Sequence, residues 1–597
     1  MTAAGILPAA QPVPGEVPFG GVEDERQFCD RMLAEMEADR QTMISWWRSL
    51  SQFFSPRSPR IDRDQTARGH HLNRHLLDET PLFARRTLAA GLHWGITNPS
   101  REWKQLALPD VELGEHPAIS DWLHVTNERM SAILARGNFY QAMERVYDEV
   151  TVYATASFLV EEDERDVIRC VPWGIGSYGL ADNASDEVES ASRVFKMSVR
   201  QILDRFGERD AAGQWKVDRF SARLAGFVKQ RKYAQMIDVA QLITPNADYD
   251  GERRTPEYKR YASFYWEYGV RPLTTRQRFL AKEGYDEWPL IVFRWRRAVE
   301  EVWGVDSPAM MVLGSAKSLQ TVERTALKLI EKGADPPIQG PSSFLYKRVG
   351  LLPAEFTANE DGAANPIKAI HEVNLAALDR VTAKQVEMRE RLFDAFFTRL
   401  MLFLSSVQQA GDRTAREVEE ISQEKYLVFG SVLENFNGSL TRFIDRLFGI
   451  MLRRGMIPEA PEMLQGLSLR VEYTSIMAQA QKAAGMDSLV SFALRIAEIA
   501  KATGDPGINV KVDWPQWVDE FGKRSSVPPR VIRSDEDVEA IQAAQAAQQQ
   551  EERRVALAEQ ESKAAANLGK TPMESGGTAL DALVRAGQNA GISGGVA

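Results

Sequence analysis

The 597 residues exceed what a single hydrophobic core accommodates, so several domains are expected. Hydrophobic residues make up 44% of the chain, but apolar runs such as LMLFL (Leu400–Leu404) and PLIVF (Pro289–Phe293) fall far short of the roughly 20 residues that a bilayer-spanning helix needs. A net charge of −10 argues against a protein that grips nucleic acid through a broadly basic surface, and two distant cysteines, Cys29 and Cys170, fit a reducing compartment better than a disulfide framework.

Residues 1–22 are rich in Pro, Gly and Ala and are expected to be disordered; they lack the basic-then-apolar order of a secretory signal. A long helix follows over 24–54, with Phe28, Met32, Met36, Met43, Trp47 and Leu50 recurring at helical spacing. The next helix has Thr80 as candidate N-cap and Pro81 at its first position, with Leu82, Leu88, Leu92 and Ile96 as its buried side. From Tyr153 the pattern turns to strands. TVYATASFLVEED, VIRCVPWG and SYGLADNA read as a small antiparallel meander, with the acidic EEDERD (161–166) as a connecting turn. A helix in MSVRQILDRFG comes next, then strands at roughly 231–244, 260–270 and 276–295.

Beyond Val305 helices dominate, so the whole chain reads as α+β, predominantly helical. One helix spans about 314–333 and ends at Gly333. An irregular stretch over 338–366 separates it from a second helix at 375–404, and QQAGDRT (408–414) interrupts before a third runs from Ala415 to Arg454. Gly430 and Gly438 are candidate kink points in that third helix. A smaller, mainly helical region covers 456–527. No aromatic residue follows Phe521; IQAAQAAQQQEERR reads as a transient helix, and the Gly/Ala-rich end buries too little to stay folded.

Catalytic motifs are sparse. The GKT at Gly569–Thr571 has Ala564 where a phosphate-binding loop needs its first glycine. His71 and His75 stand four apart, as a helical zinc site needs, but no cysteine is near, and His70, His71 and His75 read as polar surface. Asn246, Asp248, Asp250, Gly251 and Glu257 occupy positions 1, 3, 5, 6 and 12 of a calcium-loop template. Pro245, Arg253 and Pro256 fit that template badly, and a solvated turn between strands is the plainer reading. Phe393, Phe396, Phe397, Met401 and Phe403 read as helix packing rather than a ligand pocket. No catalytic residue, cofactor or metal is expected.

Several phrases, in one order, resemble the portal proteins of tailed bacteriophages, nearest to the head-to-tail connector family of short-tailed phages. They are DETPLFARRTLAAGLHWGITNPSREWKQL, SRVFKMSVRQILDRFG, EWPLIVFRWRRAVEEVWGVDSPAM, ADPP and TAREVEE. Two departures stand out. Trp303-Gly304-Val305-Asp306-Ser307-Pro308 replaces a tyrosine-glycine-x-glycine-proline turn, and Ser318-Leu319-Gln320 replaces a leucine-asparagine pair.

The resemblance implies a portal fold assembled as a ring of about twelve subunits at one capsid vertex, with double-stranded DNA packaged and ejected through its centre. It implies a wing (23–312), stem helices (313–335 and 375–404), a clip (336–374), a tunnel loop (405–414), a long return helix (415–455), a crown (456–530) and a flexible or barrel-like tail (531–597). Partners would be the terminase motor, tail adaptor, capsid and scaffold proteins, with no membrane; the place would be the virion, and the host cytoplasm during assembly. Twelve helices side by side at about 10 Å make a ring of radius ~19 Å; removing a ~5 Å helix radius leaves an opening of roughly 28 Å. Gln408, Gln409 and Arg413 are the candidates for facing DNA, and Phe344, Tyr346, Lys347 and Arg348 for meeting partners at the clip. The alternatives are a phage assembly or scaffold protein without a channel, and a metal-assisted enzyme built on the Asp248/Asp250 turn.

Overall fold

The computed structural model describes residues 24–56, 61, 75–334 (except 115 and 254), 375–407, 415–464, 469–474 and 535–570, with short pieces elsewhere. The chain divides into two compact units, Met1–Gln481 and Lys482–Ala597.

In the first unit, α1 (Glu25–Phe54) buries Phe28, Leu33, Met36, Ile44, Trp47, Leu50 and Phe54. Met32 and Met43, expected inside, lie at the edge of that stripe. Helix α2 (Thr80–Ile96) starts with Pro at its first turn and buries Leu88, Leu92 and Ile96, while Leu82 is half-buried. Thr80 is helical; the carboxylate of Asp78 accepts from its amide at 2.8 Å. A short strand β1 (Lys104–Ala107) leads to α3 (Pro117–Arg136) and α4 (Phe139–Tyr153).

The strands that follow depart from a simple meander. β2 (Thr155–Asp163) and β3 (Val167–Trp173) pair as expected, from Ser157↔Trp173 to Asp163↔Val167. β4 (Tyr178–Asp182), however, leaves them and pairs with β5 (Val188–Ser198). A capping box, with Ser198 and Gln201 bonding each other's backbone amides, starts α5 (Val199–Phe206). Helix α6 (Ala222–Lys229) leads to β6 (Met236–Pro245), β7 (Tyr261–Glu267) and β8 (Ala281–Tyr285). The sheet order is β4-β5-β6-β7-β8. The expected strand 276–295 is two strands: β9 (Leu290–Arg294) crosses back to form β3-β2-β9. Short-range pairing was visible in the alternation of residues; which sheet a strand joins depends on what covers its faces. β2 is buried on both faces for its first six residues, so it needs more cover than α4 alone provides.

That other cover comes from far along the chain. Helix α7 (Pro308–Ala334) begins at Pro308 rather than Gly314, with Val312 non-helical at φ −112°. The expected helix 375–404 is two helices, α8 (Leu375–Ala395) and α9 (Thr398–Val407), broken at Phe396–Phe397. Successive helical residues point about 100° apart, so one helix face cannot send both phenylalanines inward. Phe396 packs on Phe54 and Phe397, at φ 50°, on Phe429. Helix α10 (Ala415–Arg453) is helical through Gly430 and Gly438. Its stripe of Phe429, Phe436, Leu440, Phe443, Leu447 and Met451 is buried. Phe443 stacks on Phe139 at 4.6 Å and meets Phe158 edge-on; Phe436 meets Phe293. Each such buried aromatic contributes roughly 1.5–3 kcal/mol.

After α10 the chain stays with this unit. β10 (Arg470–Tyr473) pairs antiparallel with β1, and Trp122 donates to the Pro458 carbonyl at 3.0 Å. In the second unit the expected transient helix is a 36-residue helix, α11 (Asp535–Lys570), which includes Gly569 and Lys570. Its described side chains are almost all exposed. Ala, Gln and Glu give it helix propensity without an apolar stripe.

Candidate functional site

With Gln385 of α8 meeting Glu323 of α7, these two helices pack together as a pair. Its root is a polar knot. Gln320, 4% exposed, accepts through Oε1 from the amides of Leu77 (2.7 Å) and Asp78 (3.0 Å) and donates through Nε2 to the Asp78 carbonyl (2.8 Å). The Asp78 carboxylate takes Arg389 of α8 at 2.8 Å; Arg389 also reaches Glu323 at 3.7 Å, and Gln385 donates to Glu323. One buried amide therefore ties α7 to the strand-like lead into α2, and two carboxylates tie α8 to both. The sequence singled out Gln320 only as a departure from a leucine-asparagine pair; Asp78 and Arg389 carried no local signal, because they meet across 311 positions.

Beyond this knot the two helices pack on each other. Leu327 (44% exposed), Ile330 (53%) and Val386 (47%) show apolar surface on the pair's flanks. Further along, Ile338 and Gln339 pair with Ala369 and Lys368, closing the neck of the segment between them. Phe344, Tyr346, Lys347 and Arg348 lie in that segment, outside the described residues. Gln408, Gln409 and Arg413 fall between α9 and α10 and also lie outside them.

At the other end, α10 is latched to both sheets by arginines. The Arg446 guanidinium, 1% exposed, donates to the Val160 carbonyl at 3.1 and 2.8 Å and to the Glu287 carbonyl at 2.9 Å, and pairs with the Glu287 carboxylate. Arg453 binds Glu287 and Glu162. Burial holds Arg446 below the usual arginine range. These bonds tie α10 to β2 and to the β8–β9 crossing.

The other sequence candidates take structural roles. Asn246 donates to the carbonyls of Glu257 and Lys259, both at 2.7 Å, and Asp250 pairs with Arg253 at 3.2 Å, which makes 246–259 a self-bonded turn. Among the described residues no group of three or more His, Cys, Asp or Glu converges on a metal position. His75 bonds the Gln52 carbonyl at 2.7 Å, while His70 and His71 lie outside the described residues. Asp163, from the acidic turn, caps the amides of Arg165 and Asp166, which hold its carboxyl below the usual range. Both cysteines are buried and free, and burial raises both thiols. Phe393 meets Phe83 edge-on, Phe396 packs on Phe54 and Phe397 on Phe429, so these three pack helices, while the Phe403 side chain lies outside the described residues.

Known proteins supply the context for this arrangement. The chain is 33% identical to the "Portal protein" of Salmonella phage epsilon15 over 570 residues, 94% of this chain and 99% of that one. It is 30% identical to the "Probable portal protein" of Bordetella phage BPP-1 over 549 residues, 92% and 96% of the two chains. A chain from the "Virion of native gene transfer agent (GTA) particle" covers 76% of this chain and 95% of its own, at 8% identity and a TM-score of 0.34. Residues 26–532 match the family described as "Bacteriophage head to tail connecting protein", which takes in the knot, the α7–α8 pair and the α10 latch, and the chain belongs to that family.

Proposed function

We propose that this chain is a phage portal subunit, about twelve copies of which form a ring at one capsid vertex through which double-stranded DNA is packaged and ejected. The observation that carries the reading is the end-to-end match to a portal protein, 94% of this chain against 99% of the relative. The α7–α8 pair supports it physically. A two-helix ribbon with Leu327, Ile330 and Val386 exposed is covered when copies stand side by side, and 27 residues of helix line roughly 40 Å of channel.

In this reading α7 and α8 are the stem, 336–374 is the clip and 405–414 the tunnel loop. Gln408, Gln409 and Arg413 face DNA; Phe344, Tyr346, Lys347 and Arg348 meet the packaging motor and later the tail adaptor. Residues 23–312 with α10 are the wing. Residues 456–530 are the crown, and its strand β10 pairs with wing strand β1. The α11 helix is the part of the tail from which a barrel would be built. The protein acts without catalysis, and a separate ATPase supplies the energy. It resides in the virion after assembly in the host cytoplasm. A chain of net charge −10 suits a conduit, because strong phosphate contacts would stall moving DNA.

The test is negative-stain electron microscopy with mass measurement on the same sample of purified chain, alone and with capsid partners. Closed rings of about twelve copies with a central hole are expected; open or irregular assemblies with the partners present would overturn the reading.

A further inference from the structure

The loops at the two ends of strand β6 carry opposite unpaired charge, the Arg253 in the acidic turn being paired with Asp250. Strand β6 has ten residues and spans about 33 Å. The loop entering it carries Lys229, Arg231 and Lys232, all exposed and none with an ion pair or side-chain hydrogen bond among the described residues. Exposed Arg271 follows β7 at the same end, where the Tyr268 amide bonds the Asp238 carbonyl. The turn leaving β6 carries Asp248, Glu252 and Glu257, exposed and equally unpaired. Each tip also shows apolar surface: Tyr233 (38%) and Met236 (40%) at the basic end, Tyr249 (57%) at the acidic end.

Arg231 is a second sign that the basic tip is kept for a purpose. It sits just past the end of α6 at φ 55°, where Lys232 N bonds the Phe227 carbonyl at 2.9 Å. That left-handed position closes a helix and favours glycine. A charged side chain stands there against the backbone's preference, with no side-chain partner among the described residues.

We propose that the basic loop 229–236 of one copy docks on the acidic turn 246–257 of the next, with Tyr233 and Tyr249 at the contact. The occupant is a second copy because the complementary tip lies on the same chain, at the opposite end of one strand. Cyclic rings are built from such head-to-tail contacts between two different patches. The proposal rests on the ring reading above. Twelve strands laid tip to tip at about 33 Å close at a radius of about 64 Å, so the contact belongs to the outer rim, not the stem. It also gives the calcium-like Asn/Asp turn a use that needs no metal.

The test compares three full-length variants: K229E/R231E/K232E, D248K/E252K/E257K, and the six-fold combination. At low salt each triple variant should lose at least tenfold in ring fraction by mass measurement, and the combination should regain rings, since reversed tips again match. The variant R231G should melt at a higher temperature than the parent yet assemble less well, which a purely structural arginine would not do. Triple variants that form rings like the parent, or a combination no better than either, would overturn the proposal. So would rings that persist while only DNA or another acidic partner is lost.

Carbodiimide cross-linking of mixed isotope-labelled and unlabelled parent chains separates this idea from the ring itself. Links from Lys229 or Lys232 to Asp248, Glu252 or Glu257 of another copy are expected. Rings without these links sink the contact and leave the ring reading standing. Links without rings sink the ring reading and leave the contact standing.

Discussion

Gln320 offers a sharp test of how the α7–α8 pair is rooted. Its side chain satisfies the amides of Leu77 and Asp78 and the Asp78 carbonyl while 4% exposed. Truncation to alanine leaves those groups without partners. An unsatisfied buried polar group costs about 1–3 kcal/mol. Leu77 is partly open to water, so the Asp78 amide and carbonyl dominate, at roughly 3 kcal/mol together. At about 1.4 kcal/mol per decade, the local opening equilibrium should rise on the order of a hundredfold. Global unfolding is the wrong readout, because a chain of two compact units does not melt in one step. The right one is hydrogen exchange at the amides of 77 and 78, followed by mass spectrometry on the purified chain. Gln320→Ala should speed that exchange about a hundredfold. Gln320→Glu should do no better, since it keeps an acceptor, loses the donor, and adds charge near the carboxylates of Asp78 and Glu323. Less than a threefold change in Gln320→Ala would refute the knot as the root of the α7–α8 pair.

Arg446→Ala should lower the melting temperature of the first unit and expose α10 to protease, since breaking a buried charge pair costs about 3–5 kcal/mol; unchanged cleavage would count against the latch. Gly304→Ala would push a methyl group into the Ala154 carbonyl, whose backbone cannot easily yield, and should cost roughly 1–3 kcal/mol in thermal melting. Gly314→Ala, with open space around it in α7, should instead gain up to about 1 kcal/mol. Glu149 gives a pH dependence: burial pushes its carboxyl from 4.5 up to about 8, opposed by the Ile175 amide. Between those values the folded chain holds a proton that the unfolded chain has lost, so the contribution is full below pH 4.5 and is lost as pH rises to about 8. Glu149→Gln should flatten that part of the melting-temperature profile; identical slopes would refute it.

How much of this was legible beforehand differs by element. The capped and terminated helices were: Asp24 to Phe54, the start at Thr80-Pro81, and the run from Ala415 to Arg453 appear close to where periodicity, proline and glycine put them. The two departures noted for the family became structural features. Gln320 is the centre of the knot at the root of the α7–α8 pair, and Gly304 lies against the Ala154 carbonyl with its own amide on Thr155. The candidate DNA-facing and clip residues were chosen by order along the chain, and the described structure ends at their borders.

What the sequence determined by itself is local: which segments bury an apolar stripe, where a helix must stop, and which strand neighbours pair through a short turn. Those depend on residues within a few positions of one another, and the chain carries that information wherever it folds. The tertiary structure alone decided the rest. It sent β4 away from β3, divided 276–295 between two sheets, broke the helix at Phe396–Phe397, and carried β10 back to β1. In each case the deciding partner lies far along the chain: Phe54 and Phe429 at the helix break, Asp78 for Arg389, Val160 for Arg446. Periodicity reports that a face must be buried; only packing decides against what.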